Sequence, residues 1–363
     1  MIELAEIFRR HGPAYRQKYD QQLLPSQRRA MADIAWCRTE ALGGHLYICD
    51  QCGQTQYSYH SCKNRHCPKC QNDAAQQWLR RQQALLLPVP YFMVTFTLPE
   101  GLRALAYRHQ ELFYNLLFQT SAAALQQLAR DPRFVGGQIG MVGVLQTWTR
   151  DLRYHPHVHY LVPGGGLSAN GQIWYRARNA FFVHVKPLSR LFRAKLHAAL
   201  KKTDLFHQVP PATWRQEWVV HCQPVNTGEA ALKYLAPYVF RVALSNNRLL
   251  KLTETHVTFR YRDATRQTKI ATLPAETLIQ RFLQHVLPKG FQKVRYYGLF
   301  SPTQRSRLQQ GRRLLGPVAP IEATQRDQRQ AIPCADPPPI PCPACGRPMR
   351  RDQTLRPVYC RSP

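Results

Sequence analysis

Two hydrophobic periods alternate along this chain, and their order predicts its architecture. Up to about residue 35, apolar positions fall at helical spacing (Ile2, Leu4, Ile7, Phe8, then Met31 and Ile34) among many Arg and Gln residues, which predicts short amphipathic helices. A polar, helix-favouring stretch over 73–87 ends at the break Pro88-Val89-Pro90. Beyond that break, strand-like runs at 91–98, 141–147 and 158–162 alternate with a helix near 109–128. A further helix is expected over 229–238, with Asn226 or Thr227 as N-cap, then strands around 257–261 and a helix near 276–286. This mixture predicts an α+β fold. From Ser301 the composition shifts to Gln, Arg and Pro, as in a tail or linker, and no internal repeat is found.

A length of 363 residues exceeds the usual size of one domain. The pattern divides it into a helical and cysteine-bearing module over 1–87, a large domain over 88–300, and a basic, Pro-rich tail over 301–363. Lys and Arg number 50 against 21 acids, a surplus of 29 positive charges spread along the whole length. Such a surface favours a polyanion, because neutralising phosphates releases their condensed counterions. Nucleic acid is therefore the expected partner. No run approaches the ~20 apolar residues of a membrane span, and the first residues lack the layout of a signal peptide. A cytoplasmic, nucleoid-associated protein is expected, and there eleven cysteines point to metal ligation more than to disulfides.

Cys49-Asp50-Gln51-Cys52 and Cys67-Pro68-Lys69-Cys70 are two CxxC knuckles separated by fourteen residues, the spacing of a four-thiolate zinc site. Cys37 and Cys62, with His45, His60 and His66 nearby, either form a second site or stay unliganded. Near the other end, Cys334, Cys342, Cys345 and Cys360 are candidates for a further site anchored by one CxxC. Arg38, Lys63, Arg65, Lys69, Tyr57 and Tyr59 interleave with the ligands, as a DNA-contacting unit requires.

The run His155-Pro156-His157-Val158-His159-Tyr160-Leu161-Val162 carries the second chemical signal. On a strand, His157 and His159 point the same way while Val158 enters a core on the other side, so two imidazoles make half of a metal site. Downstream, Tyr234 and Tyr238 lie four apart on a predicted helix, where both hydroxyls can approach one point. A phenol is a weak nucleophile at neutral pH, and a histidine-held cation, aided by Lys233 or Arg241, would offset the charge that develops when it attacks a phosphate. Pro163-Gly164-Gly165-Gly166 reads as a flexible turn, because no GK[ST] follows it.

Together HPHVHYLVPGGG, KYLAPY, the upstream VTFTLP and the cysteine run CDQCG…CKNRHCPKC resemble the insertion-sequence 91 family of rolling-circle transposases, relatives of HUH-type replication initiators. The similarity covers about residues 30 to 300 in the same motif order. It implies a central antiparallel-sheet HUH endonuclease domain preceded by a zinc-binding module. It also implies that Tyr234 or Tyr238 attacks single-stranded DNA, leaving a 5′-phosphotyrosine link and a free 3′-hydroxyl, with His157 and His159 holding magnesium or manganese. The family's first motif corresponds to Phe96-Thr97-Leu98-Pro99, a strand end that shapes the site.

Two features depart from this pattern. Related enzymes complete the metal shell with a third polar ligand, for which Gln146, Asp151 and His155 are the candidates. Pro237 stands between the tyrosines, where it would remove one helical hydrogen bond and kink the axis. The rival readings are a replication initiator, which the cysteine module argues against, and a catalytically inactive zinc-dependent DNA-binding regulator.

Overall fold

The computed structural model describes residues 2–359 apart from 71–77, 84, 179–181, 228–229, 231, 233–238, 240–241, 264 and 317–339. Its centre is an antiparallel sheet of five strands: β3 (Pro90–Thr97), β4 (Gly140–Trp148), β5 (Tyr154–Pro163), β8 (Val220–Thr227) and β12 (Val294–Gly298). Their order is β12-β4-β5-β3-β8, which puts the histidine-bearing β5 in the middle. The fold is α+β, as the alternating periods predict.

Both faces of this sheet are covered. On one, Val94 and Phe96 of β3, Leu145 of β4, and Val158, Tyr160 and Val162 of β5 pack against helices α3 (Glu100–Arg108), α4 (Gln110–Ala129) and α5 (Val185–Leu200). Gly143 lies directly across from Tyr160, and a Cβ there would sit 2.5 Å from that ring, so β4 yields volume to the large side chain beside it. On the other face, Met93, Val142, Val144 and Leu161 pack with Leu232, Val239, Leu299 and Leu308. The parity of β5 decides which chemistry reaches which layer. Val158 and Tyr160 are fully buried toward the helices, whereas the histidines occupy the opposite parity.

The amphipathic N-terminal segment forms α1 (Leu4–Tyr19) and α2 (Pro25–Ala35). Pro25 opens α2 at the position where its missing N–H is not needed, and the Gln27 side chain accepts the Leu24 N–H at 3.0 Å. These helices share a core with α6 (Ala275–Leu283) and with a sheet of β9 (Leu249–Leu252), β10 (His256–Arg262) and β11 (Thr268–Pro274). Gln27 also donates to Leu283 O at 3.0 Å, tying α2 to the end of α6. Of the helix expected over 229–238, Ala230 and Leu232 are described and helical, as is Val239 just beyond.

Two readings change. The glycine run is close-packed and no flexible turn: after a bend at Gly164, β6 (Gly165–Leu167) is buried and pairs with β7 (Trp174–Arg176), and a Cβ on Gly165 would lie 2.6 Å from Tyr175 O. The segment beyond Ser301 also carries structure. Helix α7 (Arg305–Leu315) buries Leu308 and Gly311, Gly311 against Trp174, and β13 (Arg350–Leu355) returns to pair with β1 (Gly44–Ile48), whose other neighbour is β2 (Thr55–Tyr59). Among the described residues no helix is long and apolar enough to cross a membrane.

Candidate active site and zinc centres

Cross-strand register assembles the histidine site. His157 faces Thr97 on β3 and Gln146 on β4, while His159 faces Thr95 and Val144. The two imidazole rings lie 4.8 Å apart at 81°, and His155, two residues back on the same parity, brings its ring within 5.3 Å of His157. His157 Nδ1 donates to the His155 carbonyl at 2.6 Å, because a carbonyl can only accept; this fixes the tautomer that leaves a lone pair on Nε2. His159 Nδ1 lies 2.9 Å from Thr95 Oγ1. Burial pushes His157 down to about 4 and His159 well below the usual imidazole range, and burial together with neighbouring His157 brings His155 to about 4. All three are therefore neutral at neutral pH, the state in which an imidazole ligates a metal.

The three candidates for a further ligand separate. Gln146 is buried and directly beside His157. His155 shares the face. Asp151 sits in the β4–β5 turn, where its carboxylate takes the Thr149 hydroxyl at 2.5 Å and the Arg153 guanidinium at 2.7 Å. Gln146 would add an oxygen to a set otherwise made of imidazoles, which suits magnesium or manganese better than nitrogen alone.

Tyr234 and Tyr238, with Lys233, Pro237 and Arg241, lie outside the described residues. The residues that flank the tyrosines are placed: Leu232 and Val239 are buried against Met93, Val144 and Leu161, on the sheet face that also carries His157 and His159.

The cysteines regroup. The sequence spacing pairs Cys49 and Cys52 with Cys67 and Cys70, but the fold places these knuckles in different clusters. Cys67 and Cys70 join Cys37, at the end of α2, and Cys62, just after β2; Cys49 and Cys52 join Cys342 and Cys345. Within each cluster all ligand atoms lie within 4.8 Å of one another. Sulfur separations are 3.5 Å for Cys37–Cys70, 3.7 Å for Cys62–Cys70, 3.5 Å for Cys49–Cys345 and 3.6 Å for Cys52–Cys342. A tetrahedron with Zn–S near 2.3 Å has edges of about 3.8 Å, so both clusters fit zinc. Cys62 hydrogen-bonding holds the Cys37 thiol down at about 7 and Cys37 holds Cys70 lower still, while Cys37 pushes Cys62 and Cys67 up. Four such thiols ionise together only with a cation among them. Cys334 and Cys360 lie outside the described residues, and Cys222 stands apart on β8.

Two family models match the chain: residues 7–98 fit "Transposase zinc-binding domain" and residues 140–307 fit "Putative transposase". A Sinorhizobium fredii protein described as "Putative transposase y4qJ" is 44% identical over 341 residues, 88% of this chain and 85% of that protein. The chain is a transposase of the insertion-sequence 91 family. The "Transposase for insertion sequence element IS801" of Pseudomonas savastanoi pv. phaseolicola is 30% identical over 287 residues, 73% of this chain and 68% of its own. No solved structure matches. As a transposase the protein acts on DNA, and its zinc-binding domain and thiol clusters support structural zinc.

The basic and aromatic groups of the transposase's zinc-binding region divide into inner and outer sets. Arg65 donates to Phe291 O at 2.5 Å and Pro288 O at 2.9 Å, and Lys69 pairs with Glu3 at 2.5 Å, so both serve internal contacts. Tyr57 and Tyr59 stack 5.8 Å apart on β2, with Tyr57 exposed, and remain available to a base. A signal for the true cysteine pairing was present. Cys52 and Cys345 are each followed by glycine (Gly53 φ 69°, Gly346 φ 71°), whereas Cys70 is followed by Gln71. The two glycine knuckles make matching bonds, Gly53 N–H to Cys49 O and Gly346 N–H to Cys342 O, both 2.9 Å.

Proposed function

We propose that this transposase cuts and rejoins single-stranded DNA by tyrosine transesterification, with His157, His159 and Gln146 holding a magnesium or manganese ion. The observation that carries the reading is the histidine face: two neutral imidazoles beside a buried glutamine, on the layer where Leu232 and Val239 bracket the tyrosines in sequence. When bound, the ion would polarise the scissile phosphate. The hydroxyl of Tyr234 or Tyr238 gives up its proton and forms an O–P bond. The bond from phosphorus to the 3′ oxygen breaks, and that oxygen takes up a proton. One phosphodiester replaces another, so no nucleotide triphosphate is consumed, and attack by a 3′-hydroxyl on the phosphotyrosine reverses the link. The second tyrosine serves a second strand.

Incubation with labelled single-stranded element ends and manganese is expected to give a denaturation-resistant adduct, absent with chelator, whose labelled peptide contains Tyr234 or Tyr238. Tight binding with no adduct on any end would instead favour the inactive regulator. An adduct at another residue would sink the tyrosine assignment.

Thr95 orients His159 in this reading by accepting its Nδ1–H. Thr95→Val is expected to raise the manganese concentration for half-maximal adduct formation by about 10- to 100-fold. An unchanged metal titration would show that packing alone orients the ring.

A further inference from the structure

The loop between Cys62 and Cys67 reaches away from its own cluster. Arg65 uses both terminal nitrogens on the carbonyls of Pro288 and Phe291, and the half-buried His66 Nε2 accepts the Leu287 N–H at 3.3 Å. This clamp fixes the connection that leads into β12. The residue just before β12 is Lys293, whose carbonyl accepts the Leu145 N–H at 3.0 Å and is thereby locked to β4, next to Gln146. Its side chain runs inward: Nζ lies 3.1 Å from Val239 O and 5.1 Å from the Trp148 ring centroid. Val239 directly follows Tyr238 in the sequence.

Arg65, His66, Trp148, Val239, His285 and Lys293 surround a cavity of about 150 Å³, and no carboxylate among the described residues lines it. Burial, with the Arg65 charge beside it, brings the lysine down to about 7. A methionine of similar length would fill this space without the desolvation cost of an amine. The amine instead supplies a donor to the main chain at Val239.

We infer that Lys293 is a positioning residue for the tyrosine-bearing segment, and that the Cys37–Cys62–Cys67–Cys70 centre supports that segment through Arg65 and Lys293. The zinc module then contributes to strand cleavage itself, and not to DNA recognition alone. This rests on the reading of Tyr234 and Tyr238 as nucleophiles.

The test uses full-length Lys293→Met and Arg65→Met, each measured for zinc content, melting temperature, affinity for a labelled single-stranded element end, and single-turnover adduct formation with manganese. Both variants are expected to keep their zinc and bind DNA within about twofold of wild type, a shift below 0.5 kcal/mol. Adduct formation should slow by about 10- to 100-fold, the scale of a small misplacement of a reacting group. Lys293→Arg, which keeps a donor, should recover part of the rate. Adduct rates equal to wild type in both variants would overturn the inference while leaving the tyrosine reading intact. A parallel loss of DNA affinity or melting temperature would overturn it too, by showing a general structural role. A wild-type protein that forms no adduct on any end would remove both readings.

Discussion

The double substitution His157→Ala with His159→Ala is expected to slow metal-dependent adduct formation by about 10²–10³-fold, the usual consequence of removing a preorganised electrostatic stabiliser. DNA affinity should change little. The surplus of 29 positive charges is spread over the chain, and phosphate neutralisation by lysine and arginine carries binding whether or not the catalytic ion is present. The fold should also survive, because both side chains sit on the parity of β5 opposite Val158 and Tyr160, whose burial against α4 and α5 holds the strand. Single-turnover capture and equilibrium binding on the same DNA separate these effects. Equal losses in both would mean that the histidines support the strand and not the chemistry. Loss of the adduct alone, with the manganese dependence abolished, is the outcome expected of metal ligands.

Much of this site was legible because β-strand parity is a local property. His157 and His159 alternate with Val158 and Tyr160 over a few residues, and that alternation survives in the fold. Gln146 was one of three candidates by sequence, and only the register of β4 on β5 sets it beside His157. The cysteine grouping went wrong for the opposite reason. Spacing rules favour neighbours in sequence, while the fold brings Cys342 to Cys52 across 290 positions. Strand β13, which follows that distant knuckle, has an almost wholly exposed burial pattern and no hydrophobic alternation, so nothing in Arg350-Arg351-Asp352-Gln353-Thr354-Leu355 marks it as a strand. Helix α7 was hidden similarly, since one buried leucine and a glycine against Trp174 make too narrow a stripe to stand out among its arginines. Arg65 read as part of a DNA-contacting set and nothing local singled out Lys293, and only long-range contacts give the two an inner role.

Native mass spectrometry of the full chain is expected to find two zinc ions, and single substitutions should divide them by cluster. Cys62→Ser and Cys342→Ser should each remove one ion, and the two together both. Removing residues 317–363 should also remove one, because Cys342 and Cys345 complete the centre begun by Cys49 and Cys52. A single site made of Cys49, Cys52, Cys67 and Cys70 predicts otherwise, since its ion would survive both Cys342→Ser and the truncation. The two centres should differ in what their loss does to stability. A structural zinc contributes about 10–16 kcal/mol of apparent binding free energy, so each loss melts whatever depends on that centre alone. Around Cys49 and Cys342 that is a small cluster with Met349, Tyr47 and Ile340. Cys37, Cys62 and Cys67 instead belong to the core shared by α1, α2, α6 and β10. Cys62→Ser should therefore lower the melting temperature of the whole transposase, whereas Cys342→Ser should mainly free β13 from β1 and leave the main transition in place. The reverse order would place the second centre, built from the two ends of the chain, as the main brace of the fold.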